Sequence, residues 1–199
     1  MPEIKSDLPI MLFSSAAQFD AWLAEQPLTS EGIWLKLAKK GSGIASVSQP
    51  EAVECALCHG WIDGQLDKFD EHHWLIRFTP RKPKSKWSEK NRTKALELIK
   101  QERMSKTGLA EVERAKADGR WDAAYAPQST ATVPDDLQQA LNANFAAREL
   151  FNRLDSTNRY AILHRVHTAA QATTRASRIE KFVAMLAKGE TIYPLKLKS

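Results

Sequence analysis

The stretch that determines the fold of this chain is His72-His-Trp-Leu-Ile-Arg-Phe-Thr79. Its residues alternate, so that large apolar side chains share one face of an extended segment and Arg77 lies on the other. The preceding residues Trp61–Leu66 also have strand character, and Asp67–Glu71 supplies turn residues between the two segments. Together they predict a β-hairpin. A symmetric hairpin would place Asp63 opposite Arg77, as a cross-strand pair of opposite charge.

Strand and helix signals alternate through the first half of the chain. Pro9–Phe13 is a short apolar segment and Glu31–Leu37 alternates, so both are typical of strands. The residues between them carry apolar side chains at helical spacing, which predicts a helix. Ser48 and Glu51 form a capping box for a second helix, which Gly60 ends.

After Pro83 the periodicity becomes helical, interrupted by a loop at residues 120–133. We therefore predict an α+β fold. A small mixed β-sheet with flanking helices occupies residues 1–105, and an all-helical C-terminal part occupies residues 106–199, packed on the first part or integrated with it into one domain. Residues 195–199 are expected to form a loose basic tail.

The most charged stretch runs from Arg77 to Arg92 and holds seven basic residues and one acid. The whole chain has a formal net charge of +5, so the rest of it is close to neutral. Such a concentrated patch attracts anions. The prolines at 80 and 83 keep the stretch extended, the helix start adds backbone N–H groups, and a tryptophan offers a flat face for stacking. The residues expected to bind an anion here are Arg77, Arg81, Lys84, Lys86, Trp87, Ser88 and Asn91. The alternative is a solvated loop whose lysines confer solubility while Trp87 anchors it to the core.

A second candidate site surrounds Trp61-Ile-Asp-Gly-Gln65. Carboxylates are uncommon within strands, so Asp63 is expected to have either a charged partner or a function. Opposite Arg77 it would form a satisfied ion pair, or with Trp61 it would complete a polar pocket that orients a small ligand.

The remaining reactive residues favour structural roles. Cys55 and Cys58 lie near the end of a predicted helix, where the dipole has the wrong sign to activate a thiol. His164 and His167 have a spacing that suits a metal, but the sequence supplies no third ligand. Nucleophile and dinucleotide-binding motifs are also missing. We therefore expect neither a metal site nor a cofactor, and the sequence assigns no catalytic residue.

The sequence shows no pattern typical of a membrane-spanning or secreted protein. The longest apolar runs are far shorter than the 18 or more residues of a membrane span. The N-terminal residues Met1–Leu8 include acids and lack the regions of a signal peptide. We therefore expect a cytoplasmic protein.

Six motifs in order point to a known family. They are Ala56-Leu-Cys-His-Gly-Trp-Ile-Asp-Gly64, Arg77-Phe-Thr-Pro-Arg81 followed by Lys86-Trp-Ser-Glu-Lys-Asn91, Asp118-Gly-Arg-Trp-Asp-Ala-Ala-Tyr125, Val133-Pro-Asp-Asp-Leu137, Asn158-Arg-Tyr-Ala-Ile162 and Arg178-Ile-Glu-Lys-Phe-Val-Ala-Met-Leu186. Over residues 10–194 the chain closely resembles the YdeI/OmpD-associated family, also called bacteriocin-protection proteins. The resemblance implies a bacterial role in tolerance to bacteriocins or cationic peptides, in some members through an outer-membrane porin. It implies no catalytic residues.

These observations lead to one functional hypothesis with two alternatives. The first is a non-catalytic, cytoplasmic binding protein of the bacteriocin-protection or stress-tolerance type, whose partner is an anionic small molecule or the anionic surface of a protein. The second is an enzyme acting on a small phosphorylated or carboxylated substrate, with Asp63 as acid or base beside Arg77. The third is nucleic-acid binding, which a compact patch with one nearby aromatic residue favours less than a small ligand.

Overall fold

The structure, a computed structural model, describes residues 3–195. It confirms an α+β fold in which a mixed sheet in the N-terminal part is followed by helices. The chain forms two compact units, residues 1–124 and residues 125–199. The boundary expected near residue 105 stays a prediction, because compactness alone does not show that a unit folds independently. All but the first residue of the expected tail, 195–199, lies outside the described residues.

The first unit contains five strands and four helices within the described residues. They are β1 (Ile4–Lys5), β2 (Leu8–Leu12), α1 (Ala16–Ala24), β3 (Ile33–Ala38), α2 (Gln49–Cys58), β4 (Trp61–Lys68), β5 (His73–Pro80), α3 (Glu89–Lys100) and α4 (Lys106–Ala117). The strands form one sheet in the order β1-β2-β3-β5-β4. Strands β2 and β3 run parallel, connected through α1, and the other neighbours run antiparallel, which makes the sheet mixed as predicted.

One face of the sheet is buried against α1 and α2. Ile33, Leu35 and Leu37 of β3 are each at most 1% exposed, as their alternation predicts. Phe19 of α1 lies edge-on to Phe78 of β5, with ring centroids 5.5 Å apart. The intervening residues of the strands project from the opposite face, because successive side chains of a strand alternate.

The β4–β5 hairpin forms, but its register differs from the symmetric register expected. Asp63 pairs with Phe78 rather than with Arg77. The turn is closed by Asp70, whose Oδ1 accepts hydrogen bonds from two backbone N–H groups that follow it, and the pairing is irregular immediately after Asp63. Adjacent residues of a strand point to opposite faces, so Asp63 and Arg77 lie on different faces of the sheet. The predicted cross-strand pair is therefore wrong.

Helices α3 and α4 pack on α2 around a second apolar cluster of the first unit. Trp87, which precedes α3, is 1% exposed and packs edge-on against Trp121, with ring centroids 4.9 Å apart. Ala95 and Leu98 of α3 and Val112 of α4 complete the centre of this cluster. This apolar cluster places the start of α3 near the end of β5. It also places there the side of α4 that carries Glu111 and Arg114.

The second unit consists of four helices within its described residues. They are α5 (Asp135–Asn142), α6 (Phe145–Arg153), α7 (Ser156–His167) and α8 (Ala172–Ala187). Their apolar stripes meet in one core that includes Leu141, Val166 and Phe182. Asp136 in the first turn of α5 receives two hydrogen bonds from the guanidinium of Arg175 on α8, at 2.5 and 2.8 Å. In the described part of the chain, no helix is long and apolar enough to cross a membrane.

Candidate functional site

The centre of the basic stretch is a buried arginine. Arg81 follows β5 directly, and its backbone N–H donates to the carbonyl of Gly60 at 2.9 Å. Its guanidinium lies 3.7 Å from the centroid of the Trp87 ring and donates to the carbonyl of Lys86 at 3.2 Å. Arg81 is only 5% exposed, because the planar guanidinium stacks on the indole. Arg81 and Trp87 therefore hold each other in the core of the first unit.

This packing changes the role expected for Trp87. With Arg81 on one side and Trp121 on another, and with 1% of its surface exposed, its ring has no face open to a ligand. The expectation that Trp87 stacks on a ligand is wrong, because Trp87 packs in the core; whether the rest of the basic stretch binds an anion or is only a solvated loop stays a prediction. Sequence alone does not distinguish these roles, since both require an aromatic residue among basic ones.

The residues between Arg81 and α3 form a short turn. The backbone N–H of Lys82 donates to Ser85 Oγ at 2.9 Å, and the backbone N–H of Ser85 donates to the carbonyl of Lys82. Lys82, Lys84 and Lys86 are exposed around this turn. Ser88 caps α3 as predicted, since its Oγ accepts from the backbone N–H of Asn91 at 3.1 Å. That cap occupies one of the backbone N–H groups expected to bind an anion.

A cleft of about 660 Å³ lies beside this turn. Its walls come from the β1–β2 turn, the loop between α1 and β3, the end of β5, the residues just after β5, and α4. Of the predicted site residues, Arg77 and Arg81 line it, and Lys82 joins them. Lys84, Lys86, Ser88 and Asn91 lie outside the lining, although they follow in the same stretch of sequence.

The charges around this basic cleft are mixed. Its basic residues are Arg77, Arg81, Lys82 and Arg114, and its acidic residues are Asp7, Glu31 and Glu111. Arg77 and Lys82 form no ion pair with any carboxylate among the described residues. Their positive charges are therefore available to an anion in the cleft.

Helix α4 adds two residues that sequence analysis missed. Glu111 is 4% exposed, and its Oε1 accepts a hydrogen bond from the guanidinium of Arg114, one turn further along. The other oxygen, Oε2, is buried and has no hydrogen-bond partner within the described structure. A buried carboxylate oxygen without a donor is costly, so this atom suits a hydroxyl or amino group of a bound molecule. The only sequence signal was the i, i+3 spacing of opposite charges, which is common on exposed helix faces.

The second predicted site does not form. Trp61 is 1% exposed and packs edge-on against Trp22, with ring centroids 5.7 Å apart, inside the core of the sheet. Asp63 is half-buried on β4, and neither residue lines the cleft that contains Arg77. The expected polar pocket of Trp61, Asp63 and Arg77 is therefore absent from the described structure.

The cysteines have the environment of structural thiols. Both are buried and unlinked near the end of α2. Burial raises the pKa of Cys55 to about 12 and that of Cys58 to about 11, and the negative charge of Asp20 contributes in the same direction. At neutral pH both thiols are protonated and weakly nucleophilic. No group of three or more His, Cys, Asp or Glu residues in the described part of the chain could hold a metal ion.

Comparison with protein families matches both halves of the chain. Residues 11–111 match the domain of unknown function DUF8412, and residues 130–189 match the family described as bacteriocin-protection, YdeI or OmpD-associated. No curated protein and no solved structure matches the chain. The resemblance drawn from the six motifs is confirmed over residues 130–189. The chain belongs to the family of DUF8412, whose match covers half of it, and its C-terminal part carries a domain of the bacteriocin-protection, YdeI or OmpD-associated family.

Proposed function

We propose that this protein is a cytoplasmic, non-catalytic binding protein of the bacteriocin-protection or stress-tolerance type, and that it holds an anionic small molecule in the basic cleft. The observation that carries the proposal is the pair Arg77 and Lys82, which line a cleft of about 660 Å³ without a carboxylate partner in the described residues. A cleft of this volume is typical of small-molecule sites. The family description of the C-terminal part supports the physiological context.

Glu111, one of the three acids that line the cleft, restricts which functional groups the ligand carries. Glu111 Oε2 is buried without a hydrogen-bond donor, while Glu111 Oε1 is already held by Arg114. A ligand that combined an oxyanion with a hydroxyl or amino group would satisfy the cations and this oxygen together. Phosphorylated sugars and hydroxy acids have this combination.

The enzyme hypothesis receives no support from the geometry. It required Asp63 beside Arg77, and these two residues lie on different faces of the sheet. The anionic surface of a protein is the alternative partner. It would bind the exposed lysines of the turn after Arg81 through the same attraction of opposite charges.

Thermal shift and calorimetry with the full chain would test the proposal. The probes would be glucose 6-phosphate, a hydroxy acid such as malate, and inorganic phosphate. At a hundred times its Kd, a probe should raise the free energy of unfolding by about 2.7 kcal/mol, which is roughly 5–10 °C in Tm for this chain length. We expect Arg77→Gln and Lys82→Gln each to weaken binding about tenfold, since charge-assisted hydrogen bonds are lost.

The chain offers a matched control in the same stretch. Lys84→Gln makes the same change of charge as Lys82→Gln, but Lys84 lies outside the cleft. It should leave the affinity within about twofold of wild type, because Lys84 does not line the cleft and its exposed charge is screened by salt. An equal loss in Lys84→Gln, or no binding of any probe, would refute a defined site in the basic cleft.

A further inference from the structure

A second concave surface lies in the C-terminal unit and shares no residue with the basic cleft. It is a groove of about 570 Å³ between one side of α7, residues of the loop before α5, α8 and the segment after α8. Helix α7 and its C-cap contribute Thr157, Tyr160, Ala161, His164, Arg165 and Thr168. The other lining residues are Tyr125, Gln128, Arg178 and Tyr193. We call this surface the tyrosine–arginine groove.

Helix α7 has two distinct faces. Its apolar face, with Ile162 and Val166, is buried in the core of the unit. The six groove residues follow the spacing i, i+3, i+4, i+7, i+8, i+11, which places them on one continuous face. A solvated helix face usually mixes Lys and Glu, and this face instead carries an aromatic ring, an imidazole, an arginine and two hydroxyls.

The aromatic side chains of the groove are held in place by their neighbours. The rings of Tyr125 and His164 meet at 89° with centroids 4.7 Å apart, and Tyr160 lies 5.7 Å from His164. The hydroxyl of Tyr160 donates to the carbonyl of Ala126 at 3.0 Å, which fixes the orientation of its ring. Burial raises the pKa of Tyr160, with the charge of Tyr125 contributing, so the phenol stays neutral at physiological pH. These rings form a preorganised wall for a planar group.

Two arginines complete the wall, and each is anchored by hydrogen bonds to its neighbours. Arg165 donates to the carbonyl of Ala161 at 3.0 Å and to the hydroxyl of Tyr193 at 3.4 Å. Arg178 donates to the carbonyl of Arg165 at 2.6 Å. Because each hydrogen bond uses only part of a guanidinium that carries five N–H donors, other donors of both side chains are left for a ligand.

The groove lacks a compensating negative charge. Its lining contains no Asp or Glu, and within the described residues neither Arg165 nor Arg178 pairs with a carboxylate. Arg175, on the same helix as Arg178, is instead bound at two atoms by Asp136. Two guanidinium groups in one concave wall repel each other, and an oxyanion bound between them would remove that repulsion.

We propose that the tyrosine–arginine groove binds a small molecule in which a planar ring carries an oxyanion, either a carboxylate or a phosphate. The oxyanion lies against Arg165 and Arg178, and the ring lies against Tyr160 and His164. The site is independent of the basic cleft, since all of its residues belong to the C-terminal unit and none is shared.

Isothermal titration of the full chain with four probes tests both halves of this chemistry. 4-Hydroxybenzoate and phenyl phosphate carry the ring with each oxyanion, and the difference between them identifies the preferred source of charge. 4-Hydroxybenzamide keeps the ring without the charge, and cyclohexanecarboxylate keeps the charge without the planar ring. We expect at least one charged aromatic probe to bind with a Kd of about 1 mM or tighter, and each control probe to bind about tenfold more weakly.

Variants locate the binding in the groove. Arg165→Gln and Arg178→Gln should each weaken the charged aromatic probe about tenfold or more. Lys181→Gln makes the same change of charge on α8 outside the groove and should leave the Kd unchanged, as should Arg77→Gln in the basic cleft. Circular dichroism would confirm that each variant is folded, and Arg178→Lys, which keeps the charge, should retain more affinity than Arg178→Gln.

The opposite results would overturn the inference. Absence of binding by both charged aromatic probes, equal binding of 4-hydroxybenzamide, or an equal loss in Lys181→Gln would each show that the groove is not a site of this kind. Loss of binding in Arg77→Gln alone would place the probe in the basic cleft instead. The two proposals can therefore fail separately.

Discussion

Cys55 and Cys58 show how burial sets reactivity at the scale of a residue. Cys55 Sγ lies 3.7 Å from the carbonyl of Ala16, and both thiols lie near the end of α2. Desolvation disfavours the thiolate, which is the reactive form, and raises the pKa of Cys55 to about 12 and of Cys58 to about 11. A Cys-x-x-Cys spacing is therefore combined here with an environment that opposes redox chemistry.

We predict that both thiols react slowly in the native protein. Compared with an ordinary thiol of pKa 9.0, the thiolate fraction at pH 8 is about 100-fold lower for Cys58 and about 1000-fold lower for Cys55. Ellman's reagent should therefore modify the native chain slowly and modify both cysteines rapidly in guanidinium chloride. Native reaction as fast as that of glutathione would contradict the prediction.

The same pKa shifts have a consequence for stability. The unfolded thiols ionise as the pH rises through about 9, while the folded thiols stay protonated, so the folded state then binds more protons. The free energy of unfolding should fall as the pH rises above about 9, and this part of the loss should be absent in a Cys55→Ala, Cys58→Ala double variant.

Arg81 and Asp63 mark the limit of sequence reasoning about single residues. A charged residue in a basic stretch is expected to be solvated, yet Arg81 is 5% exposed because its guanidinium stacks on Trp87. Asp63 was expected to pair with Arg77, but a register change of one residue moved it to the other face of the sheet. Both outcomes depend on partners brought together by the fold, and neither is visible from spacing along the chain.

At the scale of elements, the start of α4 completes the end of α2. The backbone N–H and Oγ of Ser105 both donate to the carbonyl of Cys58, at 3.0 and 2.6 Å, and Thr107 Oγ1 donates to the carbonyl of His59 at 3.2 Å. The carbonyl groups at the end of α2 are thus satisfied by residues at the start of α4. Gly108 of α4 lies against the end of α2, where a Cβ on this residue would stand 2.2 Å from the Cys58 carbonyl oxygen.

We predict that Gly108→Ala destabilises the protein although alanine is the better helix former. The gain in helix propensity is about 1 kcal/mol, whereas displacing backbone atoms at this distance should cost more, for a net loss of about 2 kcal/mol. Chemical denaturation would measure the difference. Ala110→Gly, at an exposed position of the same helix, should cost only about 1 kcal/mol. A Gly108→Ala chain as stable as wild type would show that the helices separate without cost.

The elements themselves were largely predictable, and their contacts were not. Alternation in β3 and β5 and the capping residues Ser48 and Ser88 each located an element correctly. These signals depend only on residues close together in the sequence, so they can be recognised without knowledge of the fold. The basic cleft combines β5 with α4, about thirty residues further along the chain, and periodicity carries no information about such a contact.

At the scale of the whole molecule, the positive charge is concentrated in residues 77–92, and the tryptophan of that stretch, Trp87, is buried. Of the basic residues between positions 77 and 92, Arg81 is buried on Trp87, and Arg92 donates to the carbonyl of Trp121 at 3.1 Å. The exposed basic residues are Arg77, Lys82, Lys84, Lys86 and Lys90. Proteins that bind single-stranded nucleic acid combine such charges with exposed aromatic side chains on which the bases stack. The ring of Trp87 is not available for this stacking.

We therefore predict that single-stranded DNA binds weakly and only through charge. Neutralising at most five phosphates gives a slope of log K against log salt no steeper than about −3.5, so binding should disappear by about 200 mM salt. Fluorescence anisotropy of a labelled oligonucleotide would measure this slope, and tryptophan fluorescence should stay unquenched because the Trp87 ring is covered. Charge reversal of Lys84 and Lys86 should abolish the signal, while Arg178→Gln in the C-terminal unit should leave it unchanged. A steeper slope, or tryptophan quenching that persists at 200 mM salt, would show that bases stack beside the basic stretch although the Trp87 ring is covered, and would make nucleic acid the leading partner.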